Sequence, residues 1–131
     1  VLLVNNTNYG MTGGQMAPTT MPGQKTETTP YGRDVCEAGY PMMGPEMVSA
    51  ISQDGAYVAR GSVARFRKLK EYIKKALENQ MAMRGFSFVE ALSTCPTNWR
   101  TNAEQTWAFL EDQMTKQYPP GELKTPTGKE G

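Results

Sequence analysis

Apolar residues are spread unevenly along this chain. Val1-Leu2-Leu3-Val4 is an unbroken aliphatic run, the pattern of a strand buried on both faces inside a parallel sheet. Because the run opens the sequence, its sheet neighbours are expected in sequence outside this stretch, and the chain reads as the rear part of a longer domain. From Asn5 to about Tyr40 periodicity vanishes and Gly, Pro, Thr and Asn dominate, over a span far longer than an ordinary connection. Charges are sparse in its first half and Gly13-Gly14 stands among hydrogen-bonding side chains, so an ordered functional loop is expected there instead of a solvated linker.

Beyond the loop the pattern becomes regular. Gly44-Pro45-Glu46 opens a short helix with Met47, Ala50 and Ile51 at helical spacing, ending by Asp54-Gly55. Ala56-Tyr57-Val58-Ala59 predicts a strand. Arg65 to about Met83 predicts a long helix with Phe66, Leu69, Ile73, Ala76, Leu77 and Gln80 near one face, stopped by Gly85. Phe86 to Leu92 predicts a third strand. A loop from Ser93 to Thr101 leads to a last helix, capped by Thr101 or Asn102, with Ala103, Trp107, Leu110 and Met114 inward. This alternation defines an α/β fold, a parallel sheet with flanking helices. The folded part is expected over residues 1–118, and residues 119–131 as a tail that is mobile or laid along a neighbouring subunit.

Composition narrows the chemistry. Across 131 residues, 14 Lys plus Arg face 13 Asp plus Glu, so the +1 net charge provides no global field for nucleic acid or anionic lipid. Neither partner is expected. The chain has no histidine, which excludes Ser-His-Asp and Cys-His nucleophile arrangements and the helical two-histidine zinc site. Two cysteines are too few for a secreted disulfide framework, and no apolar run approaches the roughly 20 residues that cross a bilayer. A cytoplasmic setting is expected, with any catalysis borrowed from a cofactor or a partner.

The most informative segment is Asn5-Asn6-Thr7-Asn8-Tyr9-Gly10, directly after the opening strand. Ligands in open α/β sheets bind at the carboxyl ends of the strands, and an amide-rich turn there is placed to meet one. An ordinary Asx turn closing a strand is the alternative for the asparagine pair. Val4-Asn5-Asn6-Thr7-Asn8 resembles the second half of the thiamine-diphosphate motif, in which a Gly-Asp-Gly precedes an Asn-Asn pair; the first half is not in this sequence. Tyr9-Gly10-Met11-Thr12-Gly13-Gly14-Gln15, Thr29-Pro30-Tyr31-Gly32-Arg33, Phe86-Ser87-Phe88-Val89-Glu90 and Cys95-Pro96-Thr97-Asn98-Trp99 resemble the beta subunit of 2-oxoacid:ferredoxin oxidoreductases, from Val1 to about Lys124.

That resemblance implies the rear half of a thiamine-diphosphate-binding fold, with a long cofactor loop after the first strand. It implies Mg2+ held by the Asn6 side chain and the Asn8 backbone carbonyl, oxygen ligands that suit a hard cation. The family usually has an apolar residue where Asn8 stands, a change that a backbone ligand tolerates. Tyr9, Gly10, Thr12, Gly13 and Gln15 are the implied cofactor contacts. The enzyme class oxidatively decarboxylates a 2-oxoacid to an acyl-coenzyme A and passes electrons to ferredoxin or flavodoxin, in complexes with alpha, gamma or delta-type subunits. The cofactor carries the chemistry, so the missing histidine is no objection. A non-catalytic fragment or assembly module of such a complex is the alternative.

Four features keep two meanings at this point. Cys95 resembles one ligand of a [4Fe-4S] cluster, or is a buried thiol packing as a small apolar group, the simpler meaning also for Cys36. The basic helix around Arg65 to Lys75 is a sheet-covering helix with a solvated face, or a docking face for ferredoxin or another subunit. Arg33 and Arg60 are partners for a substrate carboxylate or for an internal one. Trp99 and Trp107 are core or interface residues, with Trp107 on the inner face of its helix.

Overall fold

The computed structural model describes residues 1–127. Its sheet holds β1 (Leu2–Asn5), β4 (Tyr57–Ser62), β5 (Ser87–Leu92) and β6 (Gly121–Lys124) in the order β1-β5-β4-β6. β1 and β4 run parallel to β5, with Leu3 opposite Glu90 and Arg60 opposite Glu90. β6 runs antiparallel to β4. A small antiparallel pair, β2 (Asn8–Tyr9) and β3 (Gln15–Met16), stands in the long loop. The helices are α1 (Val35–Ala38), α2 (Gly44–Ile51), α3 (Phe66–Met81), α4 (Pro96–Trp99) and α5 (Ala103–Ala108), which continues through a wider π-helical stretch, Phe109–Met114, into α6 (Thr115–Gln117).

Side chains of a strand alternate between faces, and both inner strands use that alternation in the same way. Tyr57, Ala59, Val89 and Ala91 point to α3, where they meet Leu69, Tyr72 and Ala76 in one apolar cluster. α3 comes so close to β4 that a Cβ on Gly61 would lie 2.8 Å from Leu69 Cδ1. On the other face Leu92 joins Met21, Leu110, Met114 and Tyr118, all buried. β4 and β5 are buried along their whole lengths.

Several expectations are corrected. β1 is paired on one side only among the described residues, and Leu2 and Val4 are exposed instead of buried on both faces. β4 extends beyond Ala59 through Ser62, because Arg60 finds carboxylates inside the fold. The inner face of α3 is Leu69, Tyr72, Ala76 and Asn79, while Phe66, Leu77 and Gln80 are exposed. Asn79 can turn inward because its Nδ2 donates to Gly55 O at 3.1 Å and Ser87 Oγ at 3.1 Å. Leu110 and Met114 are inward as expected, whereas Ala103 and Trp107 are exposed. Asn102 caps α5 in a reciprocal pair with Gln105.

The tail begins differently from expectation as well. Instead of leaving the fold at Pro119, residues 121–124 add a strand to the sheet. Glu122 accepts hydrogen bonds from Tyr57 Oη and Lys75 Nζ, both at 2.8 Å. Lys124 Nζ donates to Ser49 O at 3.2 Å, at the carboxyl end of α2. The remainder of the expected tail, residues 128–131, lies outside the described residues.

Candidate cofactor site

β1 delivers the asparagine pair to the carboxyl end of the sheet, and the two amides take different jobs. Asn5 is buried. Its Nδ2 donates to Glu90 Oε1 at 2.8 Å, and its Oδ1 accepts from Thr7 N at 2.9 Å and Thr19 Oγ1 at 2.8 Å. This is the Asx turn weighed as the alternative for the pair, made firmly by Asn5 and repeated by Asn6 only with a longer bond. The backbone then enters the left-handed region at Thr7, φ 62°, an uncommon conformation for a β-branched residue. Three side-chain bonds hold it there: Thr7 Oγ1 donates to Asn6 O at 2.7 Å, Gln24 Nε2 donates to Thr7 Oγ1 at 2.8 Å, and Thr20 Oγ1 donates to Thr7 O at 2.6 Å.

The turn leaves Asn6 half-buried, its Oδ1 receiving one long bond from Asn8 N at 3.4 Å. Asn8 is 7% exposed, and its Oδ1 is buried with no hydrogen-bond partner among the described residues. A buried acceptor left unpaired costs about 1–3 kcal/mol, so it marks a place where a donor or cation is missing. Asn6, Asn8 and Tyr9 line one groove of about 250 Å³, bounded also by Leu3, Val4 and Met42. A separate cavity of about 470 Å³ lies at the opposite end of the strands beside Ile51, Ala56 and Phe86, away from these amides.

The glycine-rich turn is clamped from far along the chain. Asn98 Nδ2 donates to Gly10 O at 2.8 Å and to Cys95 Sγ at 3.3 Å, and Trp99 Nε1 donates to Asn6 O at 3.2 Å. α4 therefore brings the Cys-Pro-Thr-Asn-Trp segment onto the Asn-Asn and Gly-Gly segments. Gly14, φ +84°, is a position where a side chain is excluded twice: its backbone is left-handed, and a Cβ would sit 2.7 Å from Asn98 Oδ1. Thr12 is exposed and Gln15 half-buried, and they bond to each other, Thr12 Oγ1 to Gln15 Oε1 at 2.7 Å and Gln15 Nε2 to Thr12 O at 2.8 Å. The structure thus gathers Asn6, Asn8 and Tyr9 in the groove, sets Gly10 against Cys95, and leaves Thr12, Gly13 and Gln15 outside the groove's lining.

Neither arginine is available to a substrate carboxylate. Arg33 is buried and, among the described residues, donates only to backbone carbonyls, those of Ala17, Pro18, Thr20, Ala38, Gly39 and Tyr40. Arg60, 0% exposed, pairs bidentately with Glu46 at 2.8 and 2.7 Å, and its Nε donates to the equally buried Glu90. Burial works to raise the Glu46 carboxyl, but the Arg60 fork outweighs it and holds the group below its ordinary value. Arg60 in turn is held above its ordinary value despite burial. Glu90, Asn98 and Thr19 carry the site's geometry yet are not singled out as site residues from sequence; a charge in the middle of an apolar strand is the one available signal for Glu90.

An α/β sheet with an amide-rich loop at the carboxyl ends of its strands defines a ligand-binding domain of the open-sheet class. Comparison makes this specific. Residues 1–91 match the family model described as "Thiamine pyrophosphate enzyme, C-terminal TPP binding domain", and the chain belongs to that family. It is 48% identical over 122 residues to "Ketoisovalerate oxidoreductase subunit VorA" of Methanothermobacter thermautotrophicus, covering 91% of this chain and 25% of that protein. It is 35% identical over 120 residues to "2-oxoglutarate synthase subunit KorB" of Archaeoglobus fulgidus, covering 88% and 39%. "2-oxoglutarate:ferredoxin oxidoreductase from Magnetococcus marinus with 2-oxoglutarate, coenzyme A and succinyl-CoA bound" aligns with a TM-score of 0.67 at 26% identity, over 97% of this chain and 47% of that one. The motif-based likeness to 2-oxoacid:ferredoxin oxidoreductase beta subunits is borne out, and the chain spans about a quarter of the length of its VorA relatives.

The donor set fits thiamine diphosphate with magnesium. Asn6 and Asn8 line the groove with amides, and the Asn8 Oδ1 is buried without a partner among the described residues, a set of oxygen donors that suits a hard cation. A self-contained iron-sulfur cluster does not fit, since no group of three or more His, Cys, Asp or Glu side chains is placed to hold a metal among the described residues. Cys95 offers one thiol against the loop, and Cys36 is exposed.

Proposed function

We propose that this chain forms the diphosphate and magnesium end of a thiamine-diphosphate site in an enzyme that oxidatively decarboxylates a 2-oxoacid to an acyl-coenzyme A, with electrons passed to ferredoxin or flavodoxin. The observation that carries it is that Asn98 and Trp99, about 90 positions away in sequence, hold the carbonyls of Gly10 and Asn6 in the turn whose Asn6 and Asn8 line an amide-bearing groove. When bound, the cofactor supplies an electron sink for the carbon that loses carbon dioxide. The chain's own residues bind and orient. The Asn6 side chain and Asn8 carbonyl hold the cation, and Tyr9, Gly10, Thr12, Gly13 and Gln15 contact the cofactor. Cys95 is proposed as a single ligand to a [4Fe-4S] cluster whose other ligands come from outside the described residues. Other subunits of the complex complete the site. Among the described residues no helix is long and apolar enough to cross a membrane.

The test is titration of thiamine diphosphate with Mg2+ into the purified complex that carries this chain. Saturable, Mg2+-dependent binding is expected, and Asn6→Ala should weaken it about tenfold or more, about 1.4 kcal/mol. Absence of binding in the complex would instead identify the chain as a non-catalytic assembly module. Binding unchanged by Asn6→Ala would remove Asn6 as a ligand.

A further inference from the structure

Glu90, fully buried, stands at the centre of a chain of charges that runs from the partly exposed Glu46 through the buried Arg60 to the groove-lining Asn5. Its Oε2 accepts from Arg60 Nε, and its Oε1 accepts from Asn5 Nδ2 at 2.8 Å. Glu46 takes the outer face of the same guanidinium, and Tyr118 lies over it at 5.4 Å. Tyr118 Oη donates to Thr19 O at 2.5 Å, so the cluster reaches the loop by a second route. Two carboxylates share one cation, leaving one negative charge over. Among the described residues, the only side-chain amide through which Glu90 passes it toward the loop is that of Asn5, which fixes Thr7 N and Thr19 Oγ1. Taking Glu90 and Arg60 out of water is costly even when they are paired, and the pair lies directly behind the asparagine turn, where it can fix the turn's geometry.

We propose that Glu90 is a positioning residue for the magnesium end of the site: its carboxylate locks the rotamer of Asn5, and thereby the left-handed turn at Thr7 that presents Asn6 and Asn8, while its charge polarises that amide toward a cation. This rests on the thiamine diphosphate and magnesium reading above. Groups behind the ligands of a metal commonly change its affinity about 10- to 100-fold when removed, and a shift of that size is expected here.

The experiment compares the intact complex with Glu90→Gln, Asn5→Ala and the double exchange Asn5→Asp with Glu90→Gln. It measures the Mg2+ concentration needed to retain thiamine diphosphate by equilibrium dialysis, alongside the melting temperature without cofactor. The double exchange preserves each bond: the new amide at position 90 still accepts from Arg60 through its oxygen and donates through its nitrogen to the new carboxylate at position 5, while Thr7 N and Thr19 Oγ1 keep their acceptor. Each single variant should need about 10- to 100-fold more Mg2+, and the exchange should return close to wild type. A Glu90→Gln complex with wild-type Mg2+ dependence overturns the inference, as does an exchange no better than the single variant. If Glu90→Gln does not assemble, Asn5→Ala decides by the same criterion. A wild-type complex that binds no cofactor defeats the functional reading itself, a result distinct from these.

Discussion

Replacing Arg33 with lysine keeps the charge and removes the fork. The guanidinium donates six hydrogen bonds of 2.7–3.3 Å to carbonyls at both ends of the loop, at residues 17, 18 and 20 and at 38, 39 and 40. An ammonium has three donors radiating from one atom, so at least half of these acceptors lose their partner. Bonds to a charged group contribute about 1.5–3 kcal/mol each, and part of the loss is recovered by water at the loop surface, so a net cost of about 3 kcal/mol is expected. For a chain of 131 residues that corresponds to a fall of roughly 6–15 °C in melting temperature. The assay is thermal unfolding of the complex, with limited proteolysis of the loop between residues 17 and 40 as a local readout. A substrate-binding arginine would behave in the opposite way: Arg33→Lys would leave melting and proteolysis unchanged and raise KM for the 2-oxoacid. That outcome would refute the carbonyl-staple role.

Gly14→Ala should cost about 1–2 kcal/mol from its left-handed backbone alone, and more because Asn98 must leave Gly10 O; adding Asn98→Ala should recover the collision but not the backbone part, as read by melting temperature. With pH, Glu46 and Glu122 are both held below the usual carboxylate range, Glu46 because Arg60 outweighs its burial and Glu122 chiefly through Lys75. Their stabilisation is complete above the unfolded value of about 4.3 and is lost as pH falls through the lower folded values, so melting temperature should drop below about pH 4. On the alkaline side burial pushes the Tyr57 and Tyr118 phenols up, so the folded state keeps protons that the unfolded chain releases, and stability should fall above about pH 10. A melting temperature flat on both limbs would remove these groups from the linkage.

What the sequence made legible was local. The α2 start at Gly44-Pro45, the Asn102 cap and the strand before Leu92 each rest on a few adjacent residues and appear in the structure as expected. What it concealed depends on partners far away. Arg60 looks like the end of a strand until Glu46 and Glu90 neutralise it in the interior, and Gly121–Lys124 looks like a loose tail until Tyr57 and Lys75 meet Glu122. The α3 face turned as Asn79 Nδ2 donates to Gly55 O and Ser87 Oγ at the sheet end, bonds that offset burial of an amide whose Oδ1 has no partner among the described residues, where periodicity would choose Leu77. At the site, the Asn-Asn turn was readable from its place after a strand, while the clamp by Asn98 and Trp99 was visible only as a shared motif.

On the proposed function, the commitment of both arginines bears on how a 2-oxoacid is chosen. A substrate carboxylate that captured Arg60 would have to displace Glu46 or Glu90, and leaving a buried charge unpaired costs about 3–5 kcal/mol. Capture of Arg33 would release carbonyls from both ends of the loop that presents Asn6 and Asn8. In either case the cofactor end of the site would loosen as substrate bound, the reverse of what orientation of reactants requires. The positive charges of Arg33 and Arg60 therefore serve the shape of the loop after β1, and on the proposed function the recognition of a substrate carboxylate falls to groups other than these two. Similarity to both VorA and KorB relatives agrees with that division, since on the proposed function a segment that binds the cofactor meets the same geometric demands whichever 2-oxoacid is taken.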